Sequence, residues 1–453
     1  MSRAFAKHSQ RTEIFTKIAP SFLVNYTRFW QILDNKLYFV YNIIVECDSM
    51  SKLKRRGYAI MNESCEYKFN IPEYVRAVLD RLYENGENAY VVGGYLRDML
   101  LSKTPHDFDL ASSAEPQRAC EIFSDMRVIK TGLAHGTVTV LSSGQPIELT
   151  TFRVDGEYHD MRRPDSVSFT RRIEDDLSRR DFTVNAMAYN EREGLIDLFD
   201  GKNDLKNKII RTVGDPYARF SEDALRIMRA FRFSAQLGFQ IEEKTLEAAG
   251  ALADKLTLIA KERIFSELVR LLCSPYPEKP LKQMRSCGVL SYIFKDYTPT
   301  DGAIELLCDA ENDEITRLAL FFSDTDGSSA RSELSLLKAS GRQRSAASIV
   351  DAAKQSYVSR KDMASLRASL SLDADIALRL SVLLGNSTSD ALALLNDTTP
   401  YSISQLAIGG EDLISLGYSG REIGKTLSYL LDEVIKDPTL NTRERLLELV
   451  VRS

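Results

Sequence analysis

The hydrophobic period changes once along this chain, and that change limits the possible folds more than any other feature. Before about Asp204 short alternating segments dominate: Ala89-Tyr90-Val91-Val92, Asp107-Phe108-Asp109-Leu110, Gly136 to Leu141 and Pro146 to Phe152 all read as strands. Two helical stretches are set among them, Ile71 to Asn85 and Tyr95 to Leu101. After Asp204 the period of two fades, and Ser221 to Leu237, Lys244 to Leu258, Lys261 to Leu272 and most of the chain beyond them repeat at helical spacing. An α+β chain is expected, with a small mixed sheet and its helices followed by an all-helical remainder.

Composition narrows the class. With 453 residues, 44% hydrophobic and 27% charged, the chain can bury several cores, which excludes a disordered or fibrous protein. Its most apolar stretch, Leu37 to Val45, is interrupted by Asn42 and is far shorter than a membrane span requires, so a soluble protein with no membrane partner is expected. The 6 cysteines form no C-x-x-C pair, which fits a reducing, cytoplasmic setting. The 4 histidines fall into no metal-binding pair, so any metal is a hard cation on carboxylates. A net charge of −5 means that a nucleic-acid partner must be met by a local basic patch. Residues 1–68 are basic and aromatic and are read as an artefact of start-codon choice before Met61, with a transit peptide and a solvated basic arm as the alternatives.

Several groups carry chemistry. Asp107 and Asp109 lie two apart on a strand and so share a face, where both can hold the metal ions that phosphoryl or nucleotidyl transfer uses; a solvated edge is the plainer alternative. Upstream, Gly93-Gly94 follows a strand and leads into Arg97-Asp98, an arrangement suited to a triphosphate or simply to a tight turn with a structural ion pair. Glu148, in Ile147 to Phe152, is a third carboxylate that joins the pair if the strands are neighbours. Arg179 to Ala186 reads as the polar start of an apolar helix, with Asp181 as its cap and with Arg180 and Asn185 turned to a nucleotide. Asp223, Arg226, Arg229 and Arg232 recur every three residues and form one polar stripe on a single expected helix, or a salt-bridged face.

In order, the segments VGGYLRD, HDFDLA, TGLAHGTVTV, IELTTFRVDGEYHDMRRPDSVSF, RRDFTVNAMA, LIDLFDG and RFSEDALRIMRAFRF resemble the class II tRNA nucleotidyltransferases, or CCA-adding enzymes, and the related bacterial poly(A) polymerases. The resemblance runs from about Tyr90 to Arg270 and implies a polymerase-β-type nucleotidyltransferase head followed by a helical neck, body and tail. The expected limits are 1–68 for the extension, 69–207 for the head, 208–264 for the neck, 265–340 for the body and 341–453 for a tRNA-binding tail. It further implies magnesium on Asp107 and Asp109, with Glu148 as the third catalytic carboxylate. Nucleotide contacts at Gly94, Arg97, Arg180, Asn185, Asp223, Arg226, Arg229 and Arg232 complete the set. The implied activity is addition of CCA to the 3′ end of tRNA from CTP and ATP, with A-only addition or poly(A) synthesis as alternatives. Leu318 to Asp324 lacks the His-Asp pair of the larger family members, so a phosphohydrolase activity is not expected. Arg342, Arg344, Lys354, Arg360 and Lys361 are the expected tRNA phosphate contacts.

Overall fold

Ala89–Val92 (β1) is buried on both faces, which a strand of Tyr and Val tolerates only at the centre of a sheet. In the computed structural model, which describes residues 69–103, 105, 108–133, 136–155 and 167–452, β1 pairs antiparallel with strands on either side. The expectations for residues 1–68 and for Asp107 lie outside the described residues.

Helix α1 (Glu73–Glu84) precedes β1 and buries Val75, Val78, Leu79 and Leu82, as its spacing predicts. Helix α2 (Gly94–Leu100) follows at once. Then come β2 (Asp109–Ser112), α3 (Pro116–Ile122), β3 (Val128–Ile129), β4 (Thr137–Ser142) and β5 (Gln145–Thr151). A separate ribbon of β6 (Arg153–Asp155) and β7 (Val167–Phe169) leads to α4 (Ile173–Ser178), β8 (Met187–Asn190) and β9 (Gly194–Asp197). The main sheet runs β3-β4-β5-β2-β1-β8-β9 and is antiparallel except where β2 lies parallel to β5. It is the small mixed sheet expected.

One expected helix is replaced by sheet. The run from Phe182 into Met187 and Ala188 makes a single 3-10 turn at Thr183–Asn185 and then becomes β8. A four-residue apolar run is compatible with either element, and here the free edge of β1 decides for the strand, because Ala188 and Tyr189 satisfy that edge's backbone groups. Asp181 therefore caps no helix.

Beyond the sheet come α5 (Gly201–Asn207), β10 (Ile209–Ile210), α6 (Pro216–Glu222), α7 (Leu225–Leu237), β11 (Gln240–Ile241), α8 (Glu243–Ala251) and α9 (Lys261–Leu272). The helix expected over Ser221 to Leu237 is thus two helices, α6 and α7. Asp223 sits between them in extended backbone (φ −139°, ψ 103°), and its Oδ1 accepts the amide of Leu225 at 2.9 Å. A carboxylate that bonds its own downstream amide competes with the helical ladder, and the break falls there. The segment Lys244 to Leu258 likewise ends its α-helix at Ala251 and finishes in 3-10 turns over Ala253–Leu258.

After Ile241 the described residues contain helices and turns only, through to Arg452. One core of buried side chains extends from Phe69 to Ala391 and so joins the sheet's lower face to the helices. A second, smaller cluster is built from Leu406, Ile408, Leu413, Leu427, Leu430, Val434, Leu446 and Val450.

Candidate active site

Where β1 ends, the chain turns at Gly93 with φ +70°, a conformation that suits a residue without a Cβ. A Cβ there would lie 3.2 Å from Nη1 of Arg180 and 3.9 Å from Oδ2 of Asp109. The glycine thereby lets an arginine and an acidic strand end approach the same point. They form part of the wall of a cavity of about 500 Å³ that also takes in Arg97, Glu148, Arg179, Asp181, Asn185, Asp223, Arg226, Arg229, Phe233 and Arg263.

The acidic side is set by strand register. Asp109 on β2 and Glu148 on β5 are direct partners in the parallel ladder, so their side chains leave the sheet on one face side by side. Burial and the neighbouring charge of Asp109 push the Glu148 carboxyl above its ordinary range. Thr150, the next residue on that face, bonds Thr137 across to β4 at 3.1 Å.

The basic side comes from the segment after α4 and from the helices α2 and α7. Arg97 is buried, donates from Nε to Asp98 at 2.9 Å and from Nη1 to Oδ1 of Asn185 at 2.9 Å. Arg180 donates from Nη1 to the carbonyl of Asn185 at 3.3 Å, so both arginines are braced by the turn that precedes β8. Asn185 thus stands behind the arginines as well as lining the cavity. Arg229 is fastened to Asp181 through Nε at 2.8 Å and Nη2 at 2.6 Å.

The break between α6 and α7 places Asp223 and Arg226 on different segments that border one cavity. The Oδ2 atom of Asp223 lies 3.4 Å from Nη2 of Arg263 on α9. Arg226 donates to Oε2 of Glu222 at 2.5 Å and to the carbonyls of Arg219 and Arg179 at 3.2 and 3.0 Å. The expected stripe is therefore divided. Arg232 points elsewhere: it is buried on Glu267 at 2.5 Å, stacks 3.8 Å from the Phe233 ring centroid and does not line the cavity.

Of the site residues read from the sequence, Gly94, Arg97, Asp109, Glu148, Arg180, Asn185, Asp223, Arg226 and Arg229 meet at this cavity. Arg179, Asp181, Phe233 and Arg263 join them, although the sequence marks none of the four as a ligand. Arg179 and Asp181 flank Arg180 and share its segment, which is the signal that points to them; Arg263 has none, being 40 residues from its partner. Among the expected tRNA contacts, Arg342 pairs with Asp373 at 2.5 Å and Arg360 with Asp397 at 2.7 Å, while Lys354 donates to the carbonyl of Thr325.

The head thus sets two carboxylates on adjacent strands against a wall of arginines at one cavity. Residues 89–211 match the family model "Poly A polymerase head domain", and residues 238–300 match "Probable RNA and SrmB- binding site of polymerase A". Over these two stretches the chain is similar to that family. Among curated relatives, it is 47% identical over 226 residues to the CCA-adding enzyme of Pediococcus pentosaceus, covering 49% of this chain and 57% of that one. It is 45% identical over 236 residues to the CCA-adding enzyme of Streptococcus gordonii, covering 52% and 58%. The matched stretch spans somewhat over half the length of these relatives. Among solved structures, it is similar to the Bacillus stearothermophilus CCA-adding enzyme in complex with CTP, with a TM-score of 0.69 and 28% identity over 84% of this chain and 98% of that one.

Proposed function

We propose that this protein adds CCA to the 3′ end of tRNA, taking CTP twice and then ATP, without a nucleic-acid template. The observation that carries the reading is the meeting of Asp109 and Glu148 with Arg97, Arg180, Asp223 and Arg226 at one cavity. Curated relatives that share nearly half of their matched residues are CCA-adding enzymes, and a structurally similar CCA-adding enzyme at 28% identity is solved with CTP; both support the same activity here.

In this reading the tRNA 3′-hydroxyl attacks the α-phosphorus in line, an O–P bond forms, and the bond to the leaving pyrophosphate breaks. Arg97 and Arg180 hold the triphosphate; their donors are already aimed by Asn185, so little ordering is needed when the nucleotide arrives. Asp223 accepts from the exocyclic amino group of cytosine or adenine, and Arg226 donates to the adjacent ring nitrogen. Uracil and guanine present the opposite pattern and leave both groups unmatched. Asp109 and Glu148, oxygen donors side by side, fit a hard divalent cation. Magnesium held there would supply the charge that steadies the attacking and leaving oxygens.

The tRNA is proposed to lie along the helices after α9, held through its phosphates. Among the described residues no helix is long and apolar enough to cross a membrane, and the cytoplasm, where tRNA and nucleotides meet, is the proposed location.

The family model over the head is named for poly(A) polymerase, which favours a second reading, extension by AMP alone. One experiment separates the two. Purified protein is incubated with magnesium and tRNA lacking its 3′ end, with CTP, ATP or both, and products are sized on a gel. Three added residues that require both nucleotides support CCA addition; one added A, or a long A ladder, overturns it.

A further inference from the structure

Asp176 is a carboxylate close to the cavity that does not line it. It lies in α4, its side chain is 0% exposed, and its two oxygens are divided between neighbours. Oδ1 accepts Nε and Nη2 of Arg179 at 3.0 and 2.6 Å, and Oδ2 accepts Nη2 of Arg180 at 3.1 Å. Both arginines line the cavity.

We infer that Asp176 is a positioning residue that fixes Arg179 and Arg180 as a pair for the phosphates of an incoming nucleotide while touching neither nucleotide nor metal. The inference rests on the nucleotide reading of the cavity. A guanidinium is a rigid planar fork, so anchoring one edge sets the direction of its remaining donors. The Nε atom of Arg180 is buried with no hydrogen-bond partner among the described residues, and its Nη1 is turned to the Asn185 carbonyl, so Asp176 and that carbonyl together fix its plane. Consecutive like charges repel and would separate toward water without a shared counter-ion. Asp176 sits three and four residues before them, at the helical spacing where a single carboxylate reaches both. The two guanidiniums are in this way ordered before any ligand arrives.

A plain helix-end ion pair would give the same contacts, and the number of phosphates on the ligand distinguishes the roles. Affinities of the full chain for ATP and for AMP are measured by calorimetry for the native protein, Asp176→Asn and Arg180→Ala. Asparagine keeps the shape but turns one acceptor into a donor, so one arginine loses its anchor. ATP binding is expected to weaken on the order of tenfold, with AMP binding changed less than about twofold, since the lost contacts are charge-assisted and aimed at the outer phosphates. Equal weakening of both ligands, or no weakening, overturns the inference. Should Asp176→Asn lack a cooperative unfolding transition, Asp176→Glu, which keeps both oxygens one methylene farther out, is judged by the same ratio. Arg180→Ala calibrates the cavity: if it leaves the ATP to AMP ratio unchanged, the nucleotide reading falls and the inference with it. If it lowers the ratio and Asp176→Asn does not, only the positioning role falls.

Discussion

Arg229 closes two hydrogen bonds onto a single oxygen of Asp181, 48 residues away in the chain, while the other oxygen accepts the amide of Phe182 at 2.8 Å. The pair ties α7 to the segment that carries Arg179 and Arg180, so the two halves of the basic wall are joined by one buried carboxylate. Burial by itself would raise the Asp181 carboxyl, but the charges and hydrogen bonds of Arg229, with Arg226 behind, outweigh it and hold the group at about 2 against an ordinary 3.8. A depressed folded value means that the contribution is present above the unfolded value and is lost as pH falls through 4 toward 2. Asp181→Asn is expected to cost about 1–3 kcal/mol at neutral pH, because it removes the charged partner of the half-buried Arg229 guanidinium. Urea unfolding of both proteins at pH 7 and near pH 3 checks it: the gap should narrow at the lower pH, and a constant gap would rule out the ion pair as its source.

Gly93→Ala should damage the site more than the fold. The positive-φ backbone there (φ +70°, ψ −133°) is close to glycine-only and costs an alanine about 1–3 kcal/mol, and its Cβ meets Nη1 of Arg180 at 3.2 Å. Nucleotide binding should weaken with little change in secondary structure by circular dichroism. Native affinity for ATP in this variant would show that Arg180 is not held against the turn.

Replacing Asp223 by Ala removes one half of the proposed base reader. Discrimination of CTP and ATP against UTP and GTP should fall by about 1–3 kcal/mol, the worth of a good paired base contact. Arg229→Ala, which releases the Asp181 tie, should instead weaken all four nucleotides alike. The check is kcat/KM for each nucleotide; unaltered selectivity ratios in Asp223→Ala would assign base choice to other residues.

Asp109→Ala is expected to abolish nucleotide addition and leave tRNA binding intact, since the phosphate contacts proposed on the helices beyond α9 do not involve β2. Filter binding with labelled tRNA and a gel assay at several magnesium concentrations measure the two separately. Turnover near the native level would remove Asp109 from the reaction.

Much of this arrangement is legible in the sequence because it depends on short-range rules. The run Ala89–Val92 into Gly93-Gly94 announces strand, turn and helix, and alternation in Ile147–Phe152 puts Glu148 on an outward face. That Glu148 stands beside Asp109 is not legible, because strand order is a long-range property and β2 pairs with β5 across two intervening strands in the chain. The break at Asp223 is hidden for a different reason. Apolar spacing continues from Phe220 through Leu225, Met228 and Phe231 as if nothing intervened, and only the competing bond from Asp223 to the Leu225 amide ends the first helix. Asp181 misleads because a polar residue before an apolar run suggests a cap, while its true partner, Arg229, lies in another helix.

The separate cluster from Leu406 to Val450 bears on how the molecule comes apart. Its helices are laced together locally: Arg443 bonds Asp412 at 2.5 Å, and Asn441 accepts the amide of Ala407 and donates to the carbonyl of Gln405. Arg421–Lys436 meets the preceding chain at the helix Arg360–Leu370. A segment that keeps its own apolar cluster and its own cross-links is expected to open as a subglobal unit, its amides exchanging with deuterium through a lower-energy event than those of β1 and β2. Denaturation is therefore expected to show two overlapping transitions, which a single melting temperature would average.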